Sequence, residues 1–427
     1  MSTPDRPLRL LFVSPHFQPI NAPDGQRLRM LLPQFVASGC ECTVLAARPE
    51  DCLAPIEPEL LKSLPKKNLT IHRIMARPAR WGIRNIGLRV KSNLAHFAEQ
   101  LLSSQKFDLV YFTTTQFACL PLAQHWLKLF DLPYVIDLQD PWVNDYYERP
   151  GAPPPPGGWK YRLARWSAKR QEPQVLRECS HLVSVSPDYI TSLSKRYSWF
   201  NADQCSVIPF GWSPDDQSLA RALPNKQPLQ PVIRYIGRVG DDMANLLDAL
   251  FSAVATWQSS LPPTSLFPTW EFIGTSYAGA AGGGVVQSMA KLHGLSEQVS
   301  EQPLRIGYFD GLSRMQSSWA NLVLGSDDRG YSPSKTWPLL ATGRPWLAMT
   351  HPHSIIHNLL PRDCKWGCII QDHRDTHQTL SDFLNGLCEG RPPDQPTPSC
   401  LSALSTTALA QTHLEIFTKI VANRSSH

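Results

Sequence analysis

Cationic and hydroxyl side chains in the second half of the sequence have the types and positions of an anion-binding site. Arg238 comes just after the apolar run 232–236, and Lys335 follows Ser332-Pro333-Ser334 at the predicted start of a helix. Without a metal ion, cations, backbone N–H groups and helix N-termini are what stabilise a leaving diphosphate. We therefore predict a diphosphate site in this half of the chain. Its candidate residues are Gly237, Arg238, Asp327, Asp328, Ser332, Ser334, Lys335 and Thr336.

Each of these residues also has an ordinary structural interpretation. Ser334 is a natural N-cap, whose hydroxyl would then bond the helix backbone instead of a phosphate. Arg238 taken singly would be a surface ion pair. The placement of both residues at strand-to-helix turns of one domain favours the anion site.

A second set of candidates lies in the first half of the chain. Asp24, Gly25 and Gln26 occupy the predicted first strand-to-helix turn, where a glycine lets a ligand approach the backbone and the helix N-terminus favours negative charge. Asp140 follows the apolar run 134–138, and a carboxylate there could orient or deprotonate an acceptor hydroxyl. We predict Asp24 and Asp140 as catalytic residues, and Gly25 with Gln26 as an acceptor or phosphate loop. The alternative for Asp140 is a loop carboxylate bonded to nearby backbone.

Two groupings of residues raise the question of a metal ion. The adjacent pair Asp327-Asp328 has no third ligand nearby. The spacing C-x3-C-x4-H-x3-H from Cys364 to His377 lacks the longer loop of zinc fingers, and we interpret it as a strand at 367–370 before a helix start. The sequence therefore predicts no metal and no cofactor.

The elements that would position these residues form a repeating strand–loop–helix pattern. Continuous apolar runs are typical of parallel strands covered on both faces. Such runs occur at 8–13, 42–46, 109–112, 134–138, 182–185, 206–208, 232–236, 270–273, 321–324 and 346–349. We predict an α/β protein of two Rossmann-like, doubly wound domains that face each other across a cleft.

The predicted domain boundaries follow from the same pattern. The first domain covers 1–212, a Pro-rich linker covers 213–231, and the second domain covers 232–405. Residues 406–427 are predicted as a C-terminal helix that could pack back on the first domain.

Net charge and hydropathy limit the cellular location and the kinds of binding partner that we expect. The 427 residues carry a net charge of +5, which gives no reason to expect a nucleic-acid partner. No apolar stretch of about 18 residues is present, and the first apolar run is too short for a signal peptide, so we predict a cytoplasmic protein.

Two segments combine basic residues with apolar ones. Nine Lys and Arg residues and no acidic residue lie between Glu59 and Glu99, which suits peripheral binding to an anionic membrane on its inner face. The alternative is a solvated basic face over an ordinary core. Residues 159–170 form the second basic and aromatic segment, after a Pro-rich loop that could be a lid, a docking arm or a spacer.

Several segments, in their order along the chain, resemble the family-four glycosyltransferases of GT-B fold. The Asp137–Trp142 segment resembles the family's D-x-R-D-x-W, with Gln139 in place of arginine, and Ser332–Pro345 resembles its S-P-S-K-x-x-E-x-x-A-x-G-x-P signature. The other similar segments are Leu10–Pro15 with Asp24–Arg27, Val207–Trp212 and Tyr235–Arg238. The resemblance implies transfer of a sugar from a nucleotide-diphosphate donor to an unknown acceptor glycan, lipid or small molecule, without metal and with retention of configuration.

The sequence departs from that family at residues that matter for the donor. Gly330 and Pro338 stand where the family often has two glutamates, and Thr113 stands where it often has a histidine. This chain resembles an uncharacterised bacterial branch of the family that also has the motif S-K-x-x-P. The alternative function is a non-catalytic protein that binds a sugar-nucleotide or a glycan on the same scaffold. A third possibility is a sugar-nucleotide epimerase of related fold. Its chemistry would need paired carboxylates and a histidine in the cleft, and the sequence does not indicate such a set.

Overall fold

The apolar runs form two sheets of parallel strands. The computed structural model describes residues 6–80, 82–148, 155, 158–223, 229–262, 265, 267–276, 284–361, 367–370, 376–389 and 399–425. The chain divides into unit 1, which is Met1–Phe210 with Thr406–His427, and unit 2, which is Gly211–Ser405.

Unit 1 contains a seven-stranded sheet with the order β3-β2-β1-β4-β5-β6-β7. Strands β1 to β7 span Arg9–Val13, Glu41–Ala47, Leu69–Ile74, Leu109–Thr113, Tyr134–Leu138, His181–Ser184 and Cys205–Val207. Helices α1 to α5 span Pro23–Ala37, Ile86–Ser104, Pro121–Phe130, Trp159–Arg177 and Pro187–Arg196. Alternate residues of β1 enter opposite core layers, with Leu10 and Phe12 in one and Leu11 and Val13 in the other.

Unit 2 contains a six-stranded sheet with the order β10-β9-β8-β11-β12-β13. Strands β8 to β13 span Gln230–Ile236, Thr269–Ile273, Val299–Gln302, Ser318–Leu324, Trp346–Met349 and Gly367–Ile370. Helices α6 to α12 span Pro214–Arg221, Ala244–Ser260, Val285–Leu292, Tyr308–Gln316, Thr336–Leu340, Ile355–Leu359 and Thr376–Glu389. The prediction of two Rossmann-like α/β domains is confirmed.

The strand order reverses at one place in each sheet. In unit 1, β1 lies between β2 and β4, and in unit 2, β8 lies between β9 and β11. Open parallel sheets bind their ligands beyond the carboxyl ends of the strands at this reversal. The loops that follow β1, β4, β8 and β11 are therefore where site residues are expected.

The segment predicted as a linker, 213–231, is folded as part of unit 2 in its described residues. It contains α6, whose N-cap Ser213 accepts a hydrogen bond from the backbone N–H of Asp216 at 3.2 Å. The Asp216 carboxylate in turn accepts a hydrogen bond from the Tyr308 hydroxyl on α9 at 2.9 Å. Residues 224–228 lie outside the described residues.

The helix α13, Thr406–Ser425, completes the core of unit 1. Phe417 packs against Phe35 and Tyr111 on the α1 side of the sheet. His413 is fully buried; its Nδ1 lies 2.6 Å from the Leu409 carbonyl and its Nε2 lies 3.1 Å from the Tyr111 hydroxyl. Burial, assisted by the charge of Arg27, lowers the pKa of His413 to about 3, so the ring is neutral at pH 7.

Candidate functional site

Asp24 links the loops that follow β1 and β4 in unit 1. Its carboxylate accepts hydrogen bonds from the Thr114 hydroxyl at 3.0 Å and the Thr115 N–H at 3.3 Å, and it lies 3.1 Å from Nδ1 of His16. Asp24 itself is 3% exposed. These contacts lie at the reversal of strand order, where a ligand site was expected.

The contacts of Asp24 determine its charge and the orientation of His16. Burial raises the pKa of Asp24, but the hydrogen bond and charge of His16 and the donors of Thr114 and Thr115 outweigh it, so the pKa lies below its usual value. An ionised carboxylate accepts a hydrogen bond from a protonated Nδ1 of His16, so Nε2 is the ring nitrogen left for another partner. The His16 side chain is 17% exposed. Any action of Asp24 on a ligand therefore passes through His16.

The sequence prediction missed His16. A histidine shortly after the end of the first strand was the available signal. Its partner Asp24 was assigned to a loop, whereas α1 begins at Pro23 and places Asp24 in the first helical turn. The catalytic role of Asp24 stays a prediction.

Gly25 and Gln26 lie in the first turns of α1 and not in a loop, and their role in binding an acceptor or phosphate stays a prediction. A Cβ on Gly25 would lie 2.5 Å from the His16 carbonyl oxygen, so glycine is needed for the helix to approach this loop. The Gln26 side chain accepts a hydrogen bond from Nε of Arg29 at 2.8 Å and donates one to Asn21 at 3.4 Å. Both residues therefore make contacts that hold α1 in place.

Asp137 forms an internal polar network. Its Oδ2 accepts hydrogen bonds from the Thr113 hydroxyl at 2.9 Å and the Gln139 amide at 3.0 Å, and it lies 3.3 Å from Nε of Arg27. Burial raises the pKa of Asp137, and the charge of Arg27 opposes this effect. Arg27 also donates to the Ile208 carbonyl at 2.9 Å, so the network ties α1 to the end of β7.

Asp140 differs from Asp137 in exposure. It lies beyond the end of β5 and its side chain is exposed to solvent. The position suits contact with a ligand, and its catalytic role stays a prediction.

In unit 2, Arg238 lies in the loop after β8 and is held by Asp242. Both terminal nitrogens of Arg238 donate to the Asp242 carboxylate at 2.7 Å, and the Ser326 hydroxyl, from the loop after β11, donates to the same carboxylate at 2.7 Å. The guanidinium also lies 4.7 Å from the centre of the Tyr331 ring. The charge of Arg238 is therefore fixed at the second reversal of strand order, with Asp242 balancing it. The pKa of Asp242 is lowered: burial raises it, and the Arg238 contacts outweigh burial.

The two predicted aspartates after β11 have different surroundings. Asp328 Oδ1 accepts a hydrogen bond from the Gly330 N–H at 3.2 Å, and the Asp328 carbonyl accepts one from the Tyr331 N–H at 2.9 Å, so Asp328 organises the turn. Asp327 has an exposed side chain, and its N–H donates to the Asp242 carbonyl at 2.8 Å. Gly237 packs closely on Tyr235, whose hydroxyl donates to the Arg238 carbonyl at 2.6 Å.

Lys335 stands at the N-cap of α10, which begins at Thr336, so the alternative interpretation of Ser334 as the N-cap does not hold. The donor-binding role of Ser334 stays a prediction. Burial, with the charge of nearby Arg305, lowers the pKa of Lys335 to about 8. Within the described part of the chain, no carboxylate or other acceptor pairs with its ammonium group. The buried hydroxyls of Ser332 and Thr336 likewise have no hydrogen-bond partner among the described residues. This segment therefore carries a cation and two hydroxyl groups that a ligand could satisfy.

Pro338 lies one turn further along α10 and is buried. Its carbonyl accepts a hydrogen bond from Gln217 at 2.7 Å. The position where the resembling family often has a glutamate is therefore used here for packing against α6.

The Cys/His spacing from Cys364 to His377 lies only partly within the described residues. The strand predicted at 367–370 is confirmed as β13, while Cys364 and His373 lie outside the described residues. In the described ranges, no group of three or more His, Cys, Asp or Glu side chains is arranged to hold a metal ion.

Part of the basic segment between Glu59 and Glu99 is internal. Arg73 donates to the Phe17 carbonyl at 3.1 Å, and Arg89 donates to the carbonyls of Arg77 and Asp51 at 2.7 and 2.8 Å. These two arginines bind protein backbone, so the membrane interpretation does not apply to them. Among the described helices, none is long and apolar enough to cross a membrane.

Comparisons with known proteins agree with this geometry. Residues 25–211 match the family model of the glycosyl transferase 4-like domain. A glycosyltransferase from Rickettsia africae ESF-5 is similar in structure, with a TM-score of 0.59 and 11% identity over 98% of this chain and 100% of that chain. The catalytic domain of starch synthase IV from Arabidopsis thaliana, bound to ADP and acarbose, is also similar. Its TM-score is 0.61 and its sequence identity is 11%, over 97% of this chain and 100% of that chain.

A UDP-forming trehalose-phosphate synthase from Burkholderia xenovorans gives a TM-score of 0.60 and 13% identity over 97% of this chain and 99% of that chain. At such identities these likenesses show the fold. No curated protein sequence matches the chain.

The class of protein follows from the fold and the matched domain: this is a glycosyltransferase of GT-B fold. Residues 25–211 carry a glycosyl transferase 4-like domain.

Proposed function

We propose that the protein transfers a sugar from a nucleotide-diphosphate donor to an acceptor glycan, lipid or small molecule. The observation that carries this proposal is Lys335, a partly buried cation beside Arg305 with no paired acceptor among the described residues. Two like charges in a partly buried place are stabilised when an anion binds between them. A diphosphate supplies such an anion.

Unit 2 would bind the donor and stabilise the leaving group. As the bond from the anomeric carbon to the phosphate oxygen breaks, its electron pair stays on that oxygen and the diphosphate gains charge. Protonated Lys335 would stabilise that charge, and Arg238 would contribute its remaining N–H groups while Asp242 holds it. Cations that act in this way make a metal ion unnecessary, and we propose that the reaction uses none and needs no cofactor.

Unit 1 would bind the acceptor. Nε2 of His16, oriented by ionised Asp24, would form a hydrogen bond with a sugar or acceptor hydroxyl, and exposed Asp140 would orient a second hydroxyl. The acceptor oxygen forms the new bond to the anomeric carbon, and its proton passes to the leaving diphosphate oxygen. Retention of configuration is proposed on the resemblance to family-four enzymes.

The test is release of nucleoside diphosphate from a panel of sugar-nucleotides, with chelator present. We expect Lys335→Ala to lower kcat/KM by about 100-fold, since the group acts on the charge that develops in the transition state. Lys291→Ala, on an exposed position of α8, is the matched control and should leave the rate unchanged. Equal rates for both variants would refute the assignment of Lys335.

Two further outcomes separate the alternatives. A sugar-nucleotide that binds in calorimetry but is neither hydrolysed nor transferred would support the non-catalytic binding function. The anomeric configuration of a product, read by proton NMR, decides between retention and inversion.

We also propose that the protein works in the cytoplasm, with peripheral contact to the anionic inner face of the membrane. The exposed basic residues of unit 1 support this location.

A further inference from the structure

Helix α4 exposes a stripe of large apolar side chains. Trp159, Leu163 and Trp166 follow one another at intervals of four and three residues, which places them on one face of the helix. Their exposed fractions are 70%, 56% and 62%. Exposed tryptophans are unusual on a protein surface, and three large apolar residues in one row mark an interaction site.

The stripe lies opposite the face that anchors α4 to unit 1. Ala168, Glu172, Val175 and Leu176 are buried. Glu172 accepts a hydrogen bond from Arg196 at 2.8 Å and another from the Val143 N–H at 3.1 Å, so this side of the helix is fixed. The apolar stripe is therefore not required for packing within unit 1.

Basic residues flank the stripe. The exposed positions of α4 include Lys160, Arg162, Lys169 and Arg170, and no acidic residue is exposed along this helix. Arg165 is different, because it is largely buried and pairs with Asp145 at 2.9 Å and with Glu148 at 2.5 Å. The exposed charge on this helix is thus uniformly positive.

A second segment adjoins the helix. A Cβ on Gly82 would lie 3.0 Å from Nζ of Lys160, so the turn at Gly82 is next to the start of α4. Ile83, which follows that turn, is 47% exposed, and Arg84 is also exposed. An apolar side chain and a basic one therefore extend the surface beyond α4.

We propose that this surface, the α4 face, binds the anionic surface of a lipid bilayer. Tryptophan and leucine enter the boundary between headgroups and acyl chains, and lysine and arginine around them bind lipid phosphates. The positive charge of the exposed α4 residues matches anionic lipid and disfavours a basic protein as the partner. The inference rests on the proposed peripheral contact, and it names the surface that makes the contact.

Flotation of the full chain with vesicles tests this assignment. The vesicles contain phosphatidylcholine alone or phosphatidylcholine with phosphatidylglycerol, at low and at high salt. We expect flotation with the anionic vesicles, reduced by salt, and its loss in the triple variant Trp159→Gln/Leu163→Gln/Trp166→Gln. The variant Arg162→Ser/Lys169→Ser should bind about 25-fold more weakly, since each cation near an anionic surface contributes about fivefold.

Control variants separate the α4 face from general effects. Leu129→Gln and Leu292→Gln change apolar residues that are 56% and 78% exposed on other helices, and they should float like the wild type. Quenching of tryptophan fluorescence by brominated lipid should also be lost in Trp159→Gln/Trp166→Gln. Circular dichroism shows that each variant is folded.

The outcomes distinguish the two levels of the proposal. If the wild type floats with anionic vesicles and the triple variant floats equally, the α4 face is overturned while the peripheral contact stands. If the wild type floats with neither kind of vesicle at low salt, both are overturned. Release of nucleoside diphosphate is measured without vesicles, so glycosyl transfer is judged independently.

Discussion

The partly buried position of Lys335 makes nucleotide binding depend on pH in a defined direction. In the free protein its pKa falls from the ordinary 10.5 to about 8, because burial and Arg305 disfavour the charged form. A bound diphosphate favours the charged form and raises the pKa again. Binding therefore takes up a proton in the range between the two values. The contribution of Lys335 to affinity is fully present below about pH 8 and is lost as the pH rises through the higher pKa of the bound state.

The size of the effect follows from linkage. If the diphosphate restores the pKa of Lys335 to its ordinary value, the affinity should fall by about 20-fold between about pH 7.5 and about pH 9.5. Lys335→Arg keeps its charge throughout this range, so its affinity should change little with pH. The wild type and this variant form a matched pair.

Isothermal titration calorimetry with a nucleoside diphosphate provides the measurement. Titration at about pH 8.5 in two buffers of different ionisation enthalpy counts the protons taken up. We expect about three quarters of a proton for the wild type and none for Lys335→Arg. Zero uptake by the wild type, or the same pH profile in both proteins, would refute the reasoning that Lys335 contacts the phosphates.

Three further outcomes are expected. Gly25→Ala should lower the free energy of unfolding by about 1–3 kcal/mol in denaturant titrations, because the added Cβ would lie 2.5 Å from the His16 carbonyl oxygen; an unchanged midpoint would contradict the close packing. Asp24→Asn should be less stable than the wild type at pH 7 by about 1–2 kcal/mol, and the difference should close in acid, since a carboxyl with a lowered pKa loses its contribution as the pH falls through that pKa. Arg238→Met should lower the free energy of unfolding by about 1–2 kcal/mol, because it leaves Asp242 without its cation. The double variant Arg238→Met/Asp242→Asn should recover part of this stability but still bind nucleotide weakly. Full nucleotide binding by the double variant would exclude Arg238 from the donor site.

The central strands could be predicted because both of their faces are buried. Strands such as β4 and β5 are buried at every residue, so they read as unbroken apolar runs. The two strands that the prediction missed, β3 and β10, lie at sheet edges. Their sequences, LTIHRI and VSEQ, contain polar residues because an edge strand is partly open to solvent.

The start of α1 illustrates how local composition can mislead. Pro23 and Gly25 are common in loops, and they led to the prediction of a loop at Asp24. Proline is also favoured in the first turn of a helix, and Gly25 is required by its contact with His16. Only the three-dimensional packing separates these two explanations.

The polar contacts of the site could be predicted only in part. Arg238 and Asp242 are four residues apart, within the reach of local reasoning. The contact of Asp24 with Thr114 spans 90 positions, because it depends on β1 and β4 being neighbours in the sheet. The doubly wound order implies this neighbourhood, but it does not say which side chains meet there.

The position of α13 has a consequence for how the protein is made. Unit 1 is interrupted after Phe210 and resumes at Thr406, so the residues that cover its core on the α1 side are synthesised after the whole of unit 2. Until then Phe35 and Tyr111 lack the contacts that Phe417 provides. Unit 2 is continuous in sequence, and Trp212 near its start donates hydrogen bonds to the carbonyls of Leu404 and Leu401 near its end. During translation we expect unit 2 to reach its final structure before unit 1 does, with the first half of the chain remaining dependent on chaperones until α13 emerges.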